Sequence, residues 1–530
     1  MTTLIISPDF ASHYTSLGVL GAEAARRGER VVVATGPALR DRVLADGFEH
    51  TELVLGRGSN GGLSRLEDQP EDERRELRAF YAATRRGMTA TLAHQVRGRE
   101  TDMLWQPEAV ARRLERILAA VRPRRIVVDH LAFGATLALR ALGRPHASLL
   151  PSHPCQLPHP GDPDGFPVRF PEELAPPASE LAALRRLCER RARRFTAAYN
   201  GALLAMEPSA TPVRDAVSTP APELTVVAYP AELAPDFERP GVVLVGSLVR
   251  PEVADEELAA ALQRRRSDRP TVYVSLGTFL SAREDALATI AAALRRLDAD
   301  AVISTGVADP AALGPLPPSW HVRCRLPQVA AIAACDAVIC HGGNNTVMEA
   351  LTAGVPVLAG PFSSDQFVAA EDLRRGGVGD AYAPNQASDA EIAERVARLL
   401  DGPARIRAAA LGRRLRERPG SARAWDLIDA APTRLLGTAG VGVLEERRDA
   451  GHGEDALHGI TSVHERELDA TCKRRFSAVD EELHTGRVHE LQPAEIDDHR
   501  IGTTGQELLE SAARVGGGRN VELPVERHSR

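Results

Sequence analysis

The sequence is poor in lysine, in paired cysteines and in long apolar runs. It contains one lysine, Lys473, so arginine supplies almost all of its 65 basic residues, and the net charge of −7 predicts no general affinity for nucleic acid. The six cysteines form no Cys-x-x-Cys pair and no spacing typical of a disulfide framework or a zinc site. No apolar run is long enough to span a bilayer, and the first residues lack the pattern of a signal peptide. We therefore predict a reduced, cytoplasmic protein without integral membrane association.

The chain is long enough for more than one domain. Its 530 residues exceed what one hydrophobic core holds, and short apolar runs alternate with helical patterns, which indicates α/β domains. We predict an N-terminal domain over residues 1–230, a linker over 231–240 and a C-terminal domain over 241–431 that begins with a strand at 241–246. Residues 432–530 hold seven of the sixteen histidines but show little apolar periodicity, which predicts a poorly ordered, non-catalytic tail.

The clearest chemical signal is a stretch that reads as strand, turn and helix. An apolar run at 337–340 leads into His341-Gly342-Gly343, and a helix is predicted from Asn345 or Thr346 to Ala353. The first N–H groups of a helix have no partner within it and lie at the positive end of its dipole, so such a turn is a ready site for an anion. The imidazole and hydroxyl beside it suit a diphosphate.

Further polar side chains follow where the rest of a nucleotide sugar would lie. Glu349 comes about one helical turn after Thr346, on the same face, where a carboxylate can bind ribose hydroxyls. Asp365 and Gln366 follow the next predicted strand, at the carboxyl edge of the sheet, which is where open α/β sheets bind ligands. Together these residues predict a pocket for phosphate, ribose and sugar hydroxyls.

This stretch resembles the donor signature of family 1 glycosyltransferases, which include plant secondary-product enzymes, animal glucuronosyltransferases and bacterial antibiotic glycosyltransferases. The matching positions are His341, Gly342, Gly343, Asn345, Thr346, Glu349, Ala350, Gly354, Val355, Pro356, Asp365 and Gln366. The resemblance implies the α/β GT-B fold, in which two Rossmann-like domains face a central cleft. It also implies a UDP- or dTDP-sugar as co-substrate, with no cofactor and no metal.

Two other segments resemble donor-binding parts of the same family. Ser275-Leu276-Gly277-Thr278 follows a β-branched strand and precedes a helix predicted at 283–297, so its N–H groups can meet phosphate. Arg325-Leu326-Pro327-Gln328 resembles the plant Trp-x-Pro-Gln segment, with arginine in place of the tryptophan that stacks on uracil. Since a guanidinium can stack on a base or bind phosphate, the nucleobase stays open.

A histidine and an aspartate in the N-terminal half are candidates for acid–base chemistry. His13 lies in a loop after the first strand and before a helix predicted at 15–27, and it resembles the family's Gly-His loop, whose histidine is the general base. Asp129 ends an apolar strand at 125–129, where a buried charge is costly without a partner. By resemblance Asp129 orients His13. A polar loop residue and a helix N-cap are the plainer readings, and His130 is a nearby competitor for the role of base.

The predicted reaction is inverting transfer of a sugar to an acceptor hydroxyl. By resemblance His13 takes the proton of the hydroxyl, while Thr278, His341 and Thr346 stabilise the leaving diphosphate. The sequence does not identify the acceptor. A small natural product is expected as acceptor only by analogy to bacterial relatives. The sequence does not decide whether the protein forms a homodimer. Two alternatives stand beside this reading: a nucleotide-sugar epimerase of the same fold, and an inert nucleotide-sugar-binding protein.

Overall fold

The computed structural model describes residues 1–59, 69–265 and 268–431, with the side chains of 99–102 excepted. The predicted tail at 432–530 lies outside the described residues. Within them, the chain forms two parallel sheets, each covered by helices, as the α/β prediction requires. No described helix is both long enough and apolar enough to cross a membrane.

The first sheet has seven parallel strands among the described residues, in the order β3-β2-β1-β4-β5-β6-β7. Its strands are β1 (Thr2–Ile6), β2 (Arg30–Thr35), β3 (Glu49–Glu52), β4 (Arg125–Asp129), β5 (Ala147–Leu150), β6 (Leu224–Val227) and β7 (Val242–Leu244). The helices of this half are α1 (Ala11–Arg26), α2 (Arg40–Ala45), α3 (Glu71–Arg86), α4 (Met88–Asp102), α5 (Pro107–Val121), α6 (Phe133–Ala141) and α7 (Ala178–Met206).

The second sheet has six described parallel strands, in the order β10-β9-β8-β11-β12-β13. Its strands are β8 (Thr271–Ser275), β9 (Asp300–Ser304), β10 (His321–Arg323), β11 (Ala337–Cys340), β12 (Val357–Ala359) and β13 (Gly379–Ala381). The helices are α8 (Glu256–Arg264), α9 (Gly277–Leu280), α10 (Glu284–Arg296), α11 (Gln328–Ala333), α12 (Asn344–Ala353), α13 (Gln366–Arg375), α14 (Asp389–Asp401), α15 (Pro403–Glu417) and α16 (Gly420–Ala430).

The central strands of both sheets are mostly apolar because helices cover both faces of each sheet. Successive side chains of a strand point to opposite faces, so β1 contributes to two cores. Ile5 packs with Leu17 and Leu20 of α1. Leu4 and Ile6 lie in the other core, on the side of α5 and α6.

The strand predicted to begin the C-terminal domain belongs instead to the first sheet. Residues 242–244 form β7, which pairs in parallel with β6 and completes the first sheet, with Thr225 opposite Val242 and Val227 opposite Leu244. The edge of β6 would otherwise present unpaired N–H and C=O groups, and the apolar run Val242–Leu244 satisfies them. The second sheet therefore starts only at Thr271.

The end of the described chain returns to the N-terminal half. In α16, Trp425 is 1% exposed and packs with Ile428 in the same core as Leu17 and Leu20 of α1. Arg27 reinforces this contact through an ion pair of 2.8 Å with Asp426. The first domain is thus built from both ends of the described chain.

Some element boundaries also differ from the predictions. Helix α1 begins at Ala11 rather than at residue 15, so His13 lies in its first turn and not in a preceding loop. The charged segment at 70–99 forms two helices, because Gly87 takes a φ of +103° between them. The strands β3, β10 and β13 are three or four residues long and carry too little alternation to be read from sequence.

The α3–α4 pair of the N-terminal half lies against the C-terminal domain. Arg283 is 1% exposed and donates hydrogen bonds to Thr84 Oγ1 (3.2 Å) and to Asn385 Oδ1 (2.8 Å). Asn385 Nδ2 in turn donates to the carbonyl of Thr84 at 2.8 Å. These bonds fix the end of α3, and therefore the start of α4, on the second domain.

Candidate active site

His13 and Asp129 meet at the carboxyl ends of two neighbouring strands. Strands β1 and β4 pair directly, with Ile6 opposite Val128, so the residues that follow them lie at one edge of the sheet. His13 Nδ1 lies 2.8 Å from Asp129 Oδ2, and the side chains are 27% and 0% exposed. The N–H of Leu131 donates to Asp129 Oδ1 at 2.9 Å, which fixes the carboxylate.

This geometry sets the tautomer of His13. A carboxylate is an acceptor, so the imidazole N–H sits on Nδ1 and the lone pair of the neutral ring sits on Nε2, at the opposite edge of the ring. The buried carboxylate also stabilises the imidazolium that forms when Nε2 takes up a proton. The pair therefore has the geometry of a general base held by an orienting carboxylate.

His130 lies in a different environment. It is 3% exposed, and burial lowers its pKa to about 4. It lines a separate cavity of about 20 Å³ together with His146 and Ser148, and it is absent from the lining of the cleft beside His13. The competing assignment of His130 as the base therefore has no support from its position.

A cleft of about 410 Å³ lies beside His13, between the two domains. Its N-terminal wall carries both apolar and polar side chains. The apolar ones include Phe10, Leu55, Met103, Leu131 and Phe133, and the polar ones include Asp9, Arg57 and Asp164. The opposite wall is polar and comes from the C-terminal domain: Asn344, Asn345, Ser364 and Asp365. The cleft thus places a base and a partly apolar wall opposite polar groups.

The imidazole of His341 is packed between two glycines. A Cβ on Gly277, whose φ is +73°, would lie 2.7 Å from His341 Cε1. A Cβ on Gly343 would lie 2.3 Å from His341 Nε2. Both distances are too short for any side chain. Gly277 and Gly343, which were both predicted as donor-binding, therefore together leave the space that the His341 ring occupies.

The protonation state of His341 follows from this packing. Burial lowers its pKa to about 4, and the charge of Asp365 offsets the effect only in part. The ring is therefore neutral at pH 7 and can donate one hydrogen bond rather than supply a full positive charge. Among the described residues, buried Nδ1 has no hydrogen-bond partner. A hydrogen bond with the backbone of Ser275 also acts on the ring and opposes the lowering of its pKa.

Gln328, Thr346 and Glu349 come together in one network. Gln328 Nε2 donates to Glu349 Oε2 at 2.5 Å and to Thr346 Oγ1 at 3.2 Å. Tyr273 fixes the amide by donating to Gln328 Oε1 at 2.8 Å. Burial raises the pKa of Glu349 to about 7, which the bond from Gln328 only partly opposes. The three residues, predicted separately as donor-binding, form one polar patch at the start of α12.

Two other predicted donor residues lie at the surface. Thr278 is exposed in the first turn of the short helix α9. Arg325 is also exposed, and it makes no hydrogen bond or ion pair with any part of the chain that the structure describes. The structure leaves both side chains accessible to a ligand but fixes neither.

The start of α12 is bonded to the N-terminal domain. Asn345 Nδ2 donates to the carbonyl of Ser12 at 3.0 Å, one residue from His13. Asn344 Nδ2 donates to the carbonyls of Pro151 (3.0 Å) and Ala228 (3.2 Å). Asn345 was predicted to bind donor, whereas the interdomain role of Asn344 has no signal in the sequence. These bonds hold the candidate base and the candidate diphosphate site side by side.

Asp365 and Gln366 separate in the structure. Asp365 lines the cleft, and its Oδ2 accepts a bond from the His153 N–H at 3.1 Å. Gln366 is 7% exposed. Its Oε1 accepts from the N–H groups of Phe362 and Ser363, at 3.0 and 3.1 Å. The carboxamide of Gln366 therefore braces its own loop from inside and does not line the cleft, and its role in donor binding stays a prediction.

A buried ionic group beside this loop was missed by the sequence reading. His153 Nε2 lies 2.9 Å from Asp372 Oδ2, and both side chains are 1% exposed. The Cys155 N–H donates to His153 Nδ1, so the ring hydrogen sits on Nε2 and points to Asp372. Burial opposes the charge of Asp372, but bonds from His153 and Arg169 outweigh it and hold the pKa of Asp372 below its usual value. This group joins the 151–177 loop to α13.

Among residues 1–59, 69–265 and 268–431, no group of three or more histidine, cysteine, aspartate or glutamate side chains is arranged to hold a metal ion. Asp164, one of the four histidine and aspartate residues in the 151–177 loop, is instead paired with the buried guanidinium of Arg191.

Known proteins resemble this chain in sequence. Residues 288–421 match the family described as erythromycin biosynthesis protein CIII-like, C-terminal domain. The chain is 29% identical over 178 residues to the NDP-glycosyltransferase YjiC of Bacillus licheniformis, a match that covers 33% of this chain and 44% of that protein. It is 26% identical over 457 residues to the zeaxanthin glucosyltransferase of Pseudescherichia vulneris, which covers 81% of this chain and 97% of that protein. The match to the Bacillus protein thus spans less than half of that relative's length.

Solved structures resemble the fold. The glycotransferase of kitacinnamycin aligns with a TM-score of 0.57 at 21% identity, over 81% of this chain and 98% of that one. CalG4, the calicheamicin glycosyltransferase, aligns with a TM-score of 0.54 at 24% identity, over 81% and 97%. The chain has the GT-B fold, which confirms the predicted fold class.

Proposed function

We propose that this chain, which shares its fold and its C-terminal domain with antibiotic glycosyltransferases of family 1, is an inverting glycosyltransferase. It moves a sugar from a nucleoside-diphosphate sugar to a hydroxyl of a small natural product. The observation that carries the proposal is the pair His13–Asp129, joined at 2.8 Å, on a cleft whose opposite wall holds Asp365. With a base on one side of the cleft and polar groups on the other, an acceptor beside the base could attack a sugar bound to the polar groups.

The acceptor step uses the lone pair of His13 Nε2. The acceptor O–H gives its proton to Nε2 while its oxygen forms a bond to the anomeric carbon. The bond from that carbon to the diphosphate oxygen breaks on the opposite face, so the configuration inverts. The carboxylate of Asp129 stabilises the resulting imidazolium. General-base help of this kind contributes typically ~10²–10⁴ in rate.

The donor step requires charge stabilisation where the diphosphate leaves. The first N–H groups of α12 and the neutral ring of His341 present hydrogen-bond donors there, and they need no reorganisation as charge develops. The network of Gln328 and Glu349 suits the ribose hydroxyls, and Thr346 suits the diphosphate. Thr278 and Arg325 stay proposals for phosphate and base contacts. The proposed site uses no metal.

The proposed class of acceptor rests on the apolar side chains of the N-terminal wall of the cleft and on the names of related proteins. A cleft of about 410 Å³ has the size of sites for small ligands, roughly 300–1,000 Å³. The relative matched along 97% of its length is named for zeaxanthin, and the two structural relatives are named for kitacinnamycin and calicheamicin. A hydrophobic small molecule with a free hydroxyl is therefore the proposed acceptor.

Product analysis tests this function and its alternatives. Purified protein is incubated with UDP-glucose or dTDP-glucose, with and without a panel of hydroxylated polyketides and carotenoids, and products are identified by mass spectrometry. Transfer with inverted anomeric configuration by NMR supports the proposal. A new sugar nucleotide without acceptor would instead indicate an epimerase, and binding without turnover an inert binder. His13→Ala should abolish transfer, and His159→Ala, outside the lining of the cleft, should not.

A further inference from the structure

The loop that carries Asp365 into the cleft has an unusual backbone. It runs from Gly360 to Asp365, between β12 and α13. Ser364, directly before the aspartate, has a φ of +54°. Residues with a Cβ rarely adopt this left-handed region, and they keep it only where the surroundings impose it. What holds Ser364 therefore also determines where Asp365 points.

Three hydrogen bonds to Ser364 and Asp365 come from the other domain. Gln95 Oε1 on α4 accepts the bond from the Ser364 N–H at 3.0 Å. Gln156 Nε2 donates to Ser364 Oγ at 3.0 Å. The His153 N–H donates to Asp365 Oδ2 at 3.1 Å. Each of these three bonds crosses from the N-terminal domain to the loop.

The crossing groups are themselves fixed against the C-terminal domain. Leu92 and Val96, which flank Gln95 on α4, pack in one cluster with Phe367 of α13. His153 is held through its ring by Asp372, also on α13. Ser364 and Asp365 are thus hydrogen-bonded to groups on α4 and in the 151–177 loop that are themselves held in place by packing or by hydrogen bonds.

The network around Gln328 is built differently. The bonds that join Gln328 to Tyr273, Thr346 and Glu349 all lie within the C-terminal domain. The three bonds to Ser364 and Asp365, in contrast, are made by residues of the N-terminal domain.

We propose that Gln95 and Gln156 are positioning residues for the sugar of the donor. They keep Ser364 in the left-handed conformation so that Asp365 faces the sugar hydroxyls. The inference rests on the proposed function. It gives residues of the N-terminal domain a part in recognition of the donor sugar.

The test compares a nucleotide with its sugar derivative. Dissociation constants are measured by calorimetry for UDP, UDP-glucose, dTDP and dTDP-glucose, and the ratio of the sugar nucleotide to its own diphosphate is taken for each protein. Gln95→Leu should raise this ratio about fivefold, the effect of one lost hydrogen bond, without changing the constant for the diphosphate. Gln156→Leu should act in the same direction. Arg97→Leu, on the exposed side of the same helix, is the matched control and should leave the ratio unchanged.

A rescue distinguishes positioning from general damage. Glycine adopts a φ of +54° at no steric cost, so Ser364→Gly in the Gln95→Leu background should restore most of the ratio. Ser364→Ala keeps the Cβ and should not restore it. If Gln95→Leu does not fold, as judged by its melting curve, Gln156→Leu carries the same comparison.

The remaining outcomes overturn the inference. It is refuted if the ratio is unchanged in the folded variants, if the diphosphate and the sugar nucleotide weaken equally, or if glycine at 364 restores nothing. If none of the four probes binds the unaltered protein, the proposed function itself fails, and this inference falls with it.

Discussion

The glycine at position 343 offers a test of the site that does not strain the backbone. Its φ is −66° and its ψ is 137°, an ordinary extended conformation for alanine. The cost of Gly343→Ala therefore comes from one contact, since the new Cβ would lie 2.3 Å from His341 Nε2. Real Cβ contacts are longer than 3.0 Å, so the imidazole must move. A displacement of roughly 1 Å in a positioned group can reduce the rate ~10²-fold.

We therefore expect Gly343→Ala to lower kcat/KM for sugar transfer about 100-fold, with little change in the melting temperature. The control is Gly201→Ala on α7, whose Cβ would meet nothing within 4 Å and which should leave kcat/KM unchanged. A double-mutant cycle isolates the contact. In a His341→Ala background there is no ring to displace, so Gly343→Ala should add no further loss. Activity above half of the unaltered level in the single variant, or additive losses in the cycle, would refute the reasoning.

Three more predictions concern charge, base and packing. The folded-state pKa of Glu349 is raised from 4.5 to about 7, so its contribution to stability is full below the unfolded pKa and is lost as pH rises through 7. At pH 8, Glu349→Gln should therefore have a higher melting temperature than the unaltered protein, with a free energy of unfolding larger by on the order of a few kcal/mol. At pH 4 the two proteins should have similar melting temperatures. Asp129→Asn should lower kcat by ~10²–10⁴ while the circular dichroism spectrum is unchanged, and combining it with His13→Ala should add little, because the two act as a unit. Trp425→Ala should lower the free energy of unfolding by about 3–5 kcal/mol in urea titrations, whereas Ile406→Ala, at a side chain 74% exposed, should change it by under ~0.5 kcal/mol.

Each of these three predictions has a result that would contradict it. Equal shifts of melting temperature at pH 4 and pH 8 would show that Glu349 is not buried as a neutral acid. Independent, multiplicative losses for His13 and Asp129 would show that they do not form one catalytic unit. A Trp425→Ala protein as stable as the unaltered one would show that α16 does not pack as described.

The parts of the site that depend on local order along the chain could be predicted. Glycine and proline mark the ends of the strands and helices around 337–366, and the apolar runs between them fix the sheet. His13 and Asp129 are 116 residues apart, yet each closely follows or ends a parallel strand. Because β1 and β4 are neighbours, the topology alone brings them to one edge.

Features that depend on tertiary contact could not be predicted. The segment Val242–Leu244 has the same apolar pattern whether it ends one sheet or begins another, and only its pairing with β6 decides. The amide of Gln366 turns inward because two N–H groups of its loop need an acceptor, which no motif records. Gln95 and His153 acquire meaning only from the way the two domains meet. His130 and Asp129 are adjacent in sequence, but His130 lines a separate small cavity, whereas Asp129 bonds to His13 on the cleft.

The return of α16 to the first domain makes the C-terminal domain an insertion within the N-terminal one. The chain crosses between them twice, after Leu244 and again before Gly420. The two crossings run side by side, and a Cβ on Gly420 would lie 2.5 Å from the carbonyl oxygen of Ser247. Because the two linking segments lie side by side, we expect the domains to move relative to each other by bending at this joint, and not by the free rotation that a single linker would allow.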